Sequence, residues 1–143
     1  MSFDLALVRG DIKIETDGTV RVVAGNSKLR QDIIKILLTD LGGNKYHPKY
    51  GSHIGALQIG HQADERLVSL DLESSARNAV RNLMSLQRAQ SRRQALTPGE
   101  IIIDISSISV ARDNVDPRLY NIFISVLTKE LTVVKDIITV RIV

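Results

Sequence analysis

The sequence predicts an α+β domain: an N-terminal β-hairpin, two helices of which the second is long and amphipathic, and C-terminal strands forming one mostly antiparallel sheet. Two observations predict it. Apolar residues follow a two-residue period before residue 24 and after residue 100, and a helical period between them. Strands and helices are also segregated along the chain rather than alternating, which argues against βαβ units. The 143 residues read as one domain, 1–143, long enough to bury a core.

The first element rests on Asp17-Gly18, a turn pair between two β-branched arms. Ile12 and Ile14 alternate with Lys13 and Glu15. The expectation is a hairpin over about residues 11–23, one face buried and one wet, after a less regular N-terminus. Asn26 and Ser27 suit the N-cap of a helix running through KLRQDIIKILLTDL. There Leu29, Ile33, Ile36, Leu37 and Leu41 recur at helical spacing, Ile34 and Leu38 widen the stripe, and Gly42-Gly43 supplies a left-handed stop.

A second helix is expected from about Asp64 to Gln94. Val68, Leu72, Ala76, Ala79, Val80, Leu83 and Leu86 share an arc of roughly 120°. Opposite them Arg66, Arg77, Arg81, Arg88 and Arg92 fall within roughly 80° of one another. Thr97-Pro98-Gly99 ends this helix. Beyond it Ile101, Ile103 and Ile105 alternate one way and Ile108 and Val110 the other, which predicts a bulge at Ser106-Ser107. Turns at Asp113-Asn114 and Asp116-Pro117 lead to strands over 119–128 and 131–143.

Composition removes several function classes. With no cysteine there is no disulfide, thiol catalysis or zinc–thiolate site. No apolar run approaches a membrane span, and MSFDLALVRGD carries acid where a signal peptide needs base, so the expectation is a soluble protein made in the cytoplasm, without a membrane partner. A net charge of +3 is too small to argue for nucleic acid. His47, His53 and His61 cluster, but separations of six and eight in a glycine-rich loop with cationic neighbours match no metal spacing. Gly42 and Gly43 follow a helix rather than a strand, which excludes a phosphate-binding P-loop. Glu65, Asp71, Glu73 and Asp104 form no poised glycosidase pair, and Ser52 has no base–acid context. The reading is therefore a non-enzyme with no cofactor and no metal.

Two features remain. The stretch TDLGGNKYHPKYGSHIG combines Pro48, which fixes φ, with Gly51 and the large contact surfaces of Tyr46 and Tyr50. It reads as a rigid docking loop or as a tight connection whose tyrosines pack on the core. The arginine ridge reads as a partner-binding face or a solvated one; with three tyrosines, two phenylalanines and no tryptophan to stack bases, an acidic protein is preferred over nucleic acid.

QDIIKILLTDLGGNKYHPKYGSHIG resembles the central motif of the phage contractile-tail baseplate wedge family, the phage protein W-like or lysozyme-like wedge components that act as sheath initiators. The matching positions are Gln31, Ile36-Leu37, Thr39, Gly43, Pro48 and Tyr50-Gly51-Ser52. Two places depart: Gly43-Asn44-Lys45 stands where members often have Gly-Glu-Arg or Gly-Glu-Lys, and Thr97-Pro98-Gly99-Glu100 where many have Glu-Pro-Arg. The family's contact to a core bundle would then be made otherwise.

The resemblance implies a structural component of a tail baseplate in the virion, assembled in the host cytoplasm. Its copies would stand around a sixfold tail axis, docked to other wedge and hub proteins through Thr39, Gly43, Tyr46, Pro48, Tyr50, Gly51 and Ser52. It further implies a sheet edge that templates the first ring of tail sheath by strand addition. The terminal strand with Ile138, Thr139, Val140, Arg141 and Ile142 is the candidate edge; the alternative is a paired internal strand. Two rival functions are a peptidoglycan hydrolase, after the lysozyme-like label, and a small nucleic-acid-associated regulator.

Overall fold

A computed structural model describes residues 2–57 and 64–142. The N-terminal segment is more regular than expected. Strands β1 (Asp4–Leu5), β2 (Leu7–Val8), β3 (Asp11–Ile12) and β4 (Val22–Val23) form a small lobe. Val8 pairs with Asp11 across a two-residue turn in which Arg9 (φ 54°) and Gly10 (φ 85°) are both left-handed. That turn geometry matches the twist of antiparallel strands. The expected hairpin is also present. Arg21 N–H donates to the Lys13 carbonyl (3.0 Å), Glu15 N–H to that of Thr19 (2.8 Å), and Gly18 takes the left-handed place in the loop. β4 then returns to β1, pairing Asp4 with Val23 and Leu5 with Val22. Residues before 11 are thus a strand shared by both arms, because Arg9-Gly10 is a second tight turn.

The expected burial of the Ile12–Ile14 face is overturned. Register places Leu5, Leu7, Ile12, Ile14, Val20 and Val22 on one side of the lobe. All six face solvent, from 39% exposed at Leu7 to 63% at Ile14. Asp4, Ala6 and Lys13 lie on the other side.

Helix α1 spans Gly25–Leu38 behind Ala24, which makes no side-chain cap, so it begins ahead of the expected Asn26 and Ser27. It buries Leu29, Ile33, Ile36 and Leu37. It also ends earlier than expected. Thr39 leaves helical geometry (φ −91°, ψ 130°), with both its N–H and its Oγ1 bonded to the Lys35 carbonyl. Gly42 (φ 83°) serves a separate turn closed by Gly43 N–H on the Asp40 carbonyl (2.9 Å). Leu41 therefore lies outside the helix and is exposed. A short α2, Ile54–Leu57, was not expected.

Helix α3 spans Glu65–Ser91, its Asp64 cap accepting from the Arg66 amide, and stops three residues before Gln94. Val68, Leu72, Ala76, Ala79, Val80 and Leu83 are buried as the stripe predicts. A 3₁₀ turn, Pro98–Glu100, leads into the sheet.

Strands β5 (Ile102–Arg112), β6 (Leu119–Thr128) and β7 (Val133–Arg141) form one antiparallel sheet with β6 in the centre. Tyr120, Ile122, Ile124, Val126 and Thr128 of β6 are buried beneath α3 and α1, which pack on the same core. The expected bulge falls where Ile105 and Ser107 face Val126 and Ser125, and a second separates Ile102 from Asp104. The second explains why Ile102 rather than Ile101 or Ile103 is buried.

Candidate docking site

The loop after α1 is folded back onto the helix end that precedes it. Ser52 N–H donates to the Thr39 carbonyl (2.8 Å), Leu41 N–H to that of Ser52 (3.0 Å), and Ser52 Oγ to that of Leu37 (2.6 Å). Ser52 thereby satisfies a carbonyl that the end of α1 leaves without a helical partner. Gly51 (φ 122°) passes so close that a Cβ there would lie 2.7 Å from the Thr39 carbonyl oxygen and 2.8 Å from the Asp40 carbonyl. Both the backbone angle and the space require glycine. Two further bonds tie the loop to α3: His53 N–H to Ser75 Oγ (2.9 Å) and Asn82 Nδ2 to the Lys49 carbonyl (3.2 Å).

The two tyrosines have different surroundings. Tyr50 is half-buried against the core. Burial, with smaller contributions from the Asp32 and Asp4 carboxylates, pushes its phenol up to about 12. Tyr46 is 87% exposed on a tip formed where Asn44 Oδ1 accepts the Tyr46 and His47 amides. Pro48 is exposed beside it, and Gly43 belongs to the Asp40 turn. The loop is a braced platform with Tyr46 and Pro48 outward.

Arg66, Arg81, Arg88 and Arg92 are exposed, and Arg77 is half-buried in a 3.2 Å pair with Glu73 one turn away. Arg81 joins this ridge to the loop: with Gly51, Ser52 and His53 it lines a cavity of about 330 Å³. Among the described residues no three metal-binding side chains come together; His61 lies outside them.

β7 is an edge strand. Its ladder with β6 runs without irregularity from Leu119↔Arg141 to Leu127↔Val133. Just past its end, Ile142 N–H donates to the Arg118 carbonyl (2.8 Å). Strand alternation from that bond points the amides of Lys135, Ile137, Thr139 and Arg141 toward the open edge, where the Ile137 amide donates to Asp136 Oδ1 (2.9 Å). Ile138, Val140 and Ile142 are buried, while Thr139 and Arg141 are exposed. The opposite edge, β5, is distorted by two bulges, a device that discourages further pairing.

Two glutamines hold the parts together: Gln31, which the sequence marks only as a motif position, and Gln87, which the sequence reading passed over. Gln31 Nε2 donates to the Leu5 carbonyl (2.7 Å) and Asp4 Oδ2 (2.9 Å), and its Oε1 accepts from the Leu7 amide (2.9 Å). Lys35 pairs with the same Asp4 oxygen at 2.7 Å. Burial alone would push the Asp4 carboxyl up, but the bonds from Lys35, Gln31 and the Leu5 amide hold it below its usual value. Gln87 does the equivalent for the sheet: buried, it donates to the Glu100 carbonyl (2.6 Å) and accepts the Ile102 amide (3.0 Å). Gln87 had a signal in the sequence, a glutamine inside the apolar stripe of α3, whereas Gln31 stands on the polar side of α1 and had none.

No protein-family model matches the chain, and no curated protein matches it either. Among solved structures, the fold is shared with a crystal structure at 1.44 Å resolution described as a "putative tail lysozyme" from Geobacter sulfurreducens. The TM-score is 0.60 at 14% identity, over 81% of this chain and 89% of that one. The α+β architecture is therefore one that a tail-associated chain also adopts.

Proposed function

We propose that this protein is a structural component of a contractile phage tail or related injection machine, placed in the baseplate, where it templates the first ring of sheath by strand addition. The open β7 edge carries the reading: its register is unbroken and its outward amides are free of the β6 ladder, so an incoming strand would find both hydrogen-bonding groups and fixed side-chain positions. The likeness to a chain described as a tail lysozyme supports a tail-related role. Tyr46, Pro48 and the arginine ridge would face wedge or hub proteins, in copies set around the sixfold tail axis.

Catalysis is not part of the proposal. Purified protein should not clear cell walls, and clearing lost with one Asp→Asn or Glu→Gln change would overturn the structural reading.

Thr139→Pro tests the template. It removes an outward amide that β6 does not use, so the sheet should fold while sheath growth on baseplates carrying the variant stops. Sheath of normal length on such baseplates would eliminate β7 as the template.

A further inference from the structure

The polar side of the N-terminal lobe does not close against α1. Between them runs an open groove of about 850 Å³. Its apolar part comes from Val8, Val23, Ile34 and Leu38, of which Val8 and Leu38 are 51% and 60% exposed. Its charged part is one-signed: Arg9, Lys13, Arg21, Arg30 and Lys35 line it, and no carboxylate does. Asp4 occupies Lys35, and Glu15 lies 3.9 Å from both Lys13 and Arg21. Among the described residues Arg9 and Arg30 have no such ion pair.

Arg9 carries the argument further. It occupies the first left-handed position of the Arg9-Gly10 turn, where asparagine, aspartate or glycine is favoured and a long side chain is strained. The turn therefore keeps an arginine at the groove against its own conformational preference.

We propose that this groove receives an acidic amphipathic segment of a partner protein, apolar side chains on the floor and carboxylates against Arg9 and Arg30. Charge complementarity selects the acid, and the exposed floor selects an amphipathic chain rather than a free anion. Nucleic acid fits less well, because no aromatic side chain lines the groove for bases to stack on. The inference does not depend on a role in a tail.

The test is fluorescence anisotropy on the full chain with three probes. Two are synthetic helical peptides with leucines along one face, flanked by glutamates in one and by lysines in the other; the third is oligothymidylate. The glutamate peptide should bind, more tightly at low salt. Arg9→Asn and Arg30→Glu should each weaken it by about tenfold, a loss of about 1.4 kcal/mol. Arg9→Asn should do so with an unchanged or higher melting temperature, since asparagine suits that turn. Lys129→Glu, an exposed cation in the turn after β6 and outside the groove, should leave binding intact. Equal binding of the lysine peptide, tighter binding of oligothymidylate, no binding of the glutamate peptide at millimolar concentration, or an equal loss from Lys129→Glu would each overturn the proposal.

Discussion

In the C-terminal sheet Ile122, Ile124 and Val126 lie beneath the helices and are at most 2% exposed; in the N-terminal lobe Ile12, Ile14 and Val22 look outward at 45% to 63%. Both regions have the alternation that specifies strands. They differ in what covers them. The sheet meets α1 and α3 through apolar side chains, whereas the lobe meets α1 largely through Gln31, Lys35 and Asp4. Alternation thus fixes which residues share a face, while the decision to bury that face depends on what the rest of the chain brings to it.

The largest expected effect lies at the centre of the sheet. Ile122→Ala empties space in a fully buried position and should cost about 2–5 kcal/mol in denaturant unfolding. A cost near that of an ordinary surface change would mean that the sheet is as loosely covered as the lobe.

Next comes the clamp. Gln31→Ala removes three hydrogen bonds to the lobe, including the one to the Leu7 amide. Its expected cost is about 1–3 kcal/mol, felt in the lobe rather than the body. Amide exchange at Leu7 should quicken while that at Ile122 stays slow. Equal quickening at both would show that lobe and body unfold as a single unit.

Acid should loosen the same contact more gently. Asp4 is more acidic in the folded protein than in the unfolded chain, whose carboxyl titrates near about 3.9. A depressed carboxyl adds stability above that value and loses it as pH falls through the folded value. The lobe should therefore open below about pH 4, seen as faster exchange at Leu7, and Asp4→Asn should remove that acid dependence. An opening that persists in Asp4→Asn would assign it to other carboxylates.

How much of this was legible follows the same division. The α3 stripe, the bulge near Ser106 and the strands from 119 onward were readable because one long amphipathic helix and one sheet cover each other, so period and burial agree. The end of α1 was misplaced because Thr39 turns on its own hydroxyl bond to Lys35, before the glycines act. Arg9-Gly10 was missed because arginine is not a residue the turn favours. At the loop, the sequence singled out Gly51 and Ser52, but only the backbone path shows that they secure the helix end while Tyr46 projects. The groove was invisible for a simpler reason: its cations come from three separate segments that meet only where Gln31, Lys35 and Asp4 join the lobe to α1.

The smallest stability effect belongs to the lobe's outer face, and it sharpens the comparison most. Ile14→Thr keeps β-branching and hence strand propensity, and it exchanges a methylene-bearing arm for a hydroxyl that water can bond. At 63% exposure little apolar area is lost from the folded state, so the change should stay within about 0.5 kcal/mol. The same substitution thins an exposed patch formed by Leu5, Leu7, Ile12, Ile14, Val20 and Val22, and binding of a hydrophobic dye should fall. Paired with Ile122→Ala, it asks whether sequence alternation or packing sets the contribution of an isoleucine. If packing does, the two differ severalfold in free energy despite identical side chains. A loss of more than about 1 kcal/mol at Ile14, growing with protein concentration, would mean that another copy covers this face in solution. The contrast between lobe and sheet would then describe the isolated chain alone.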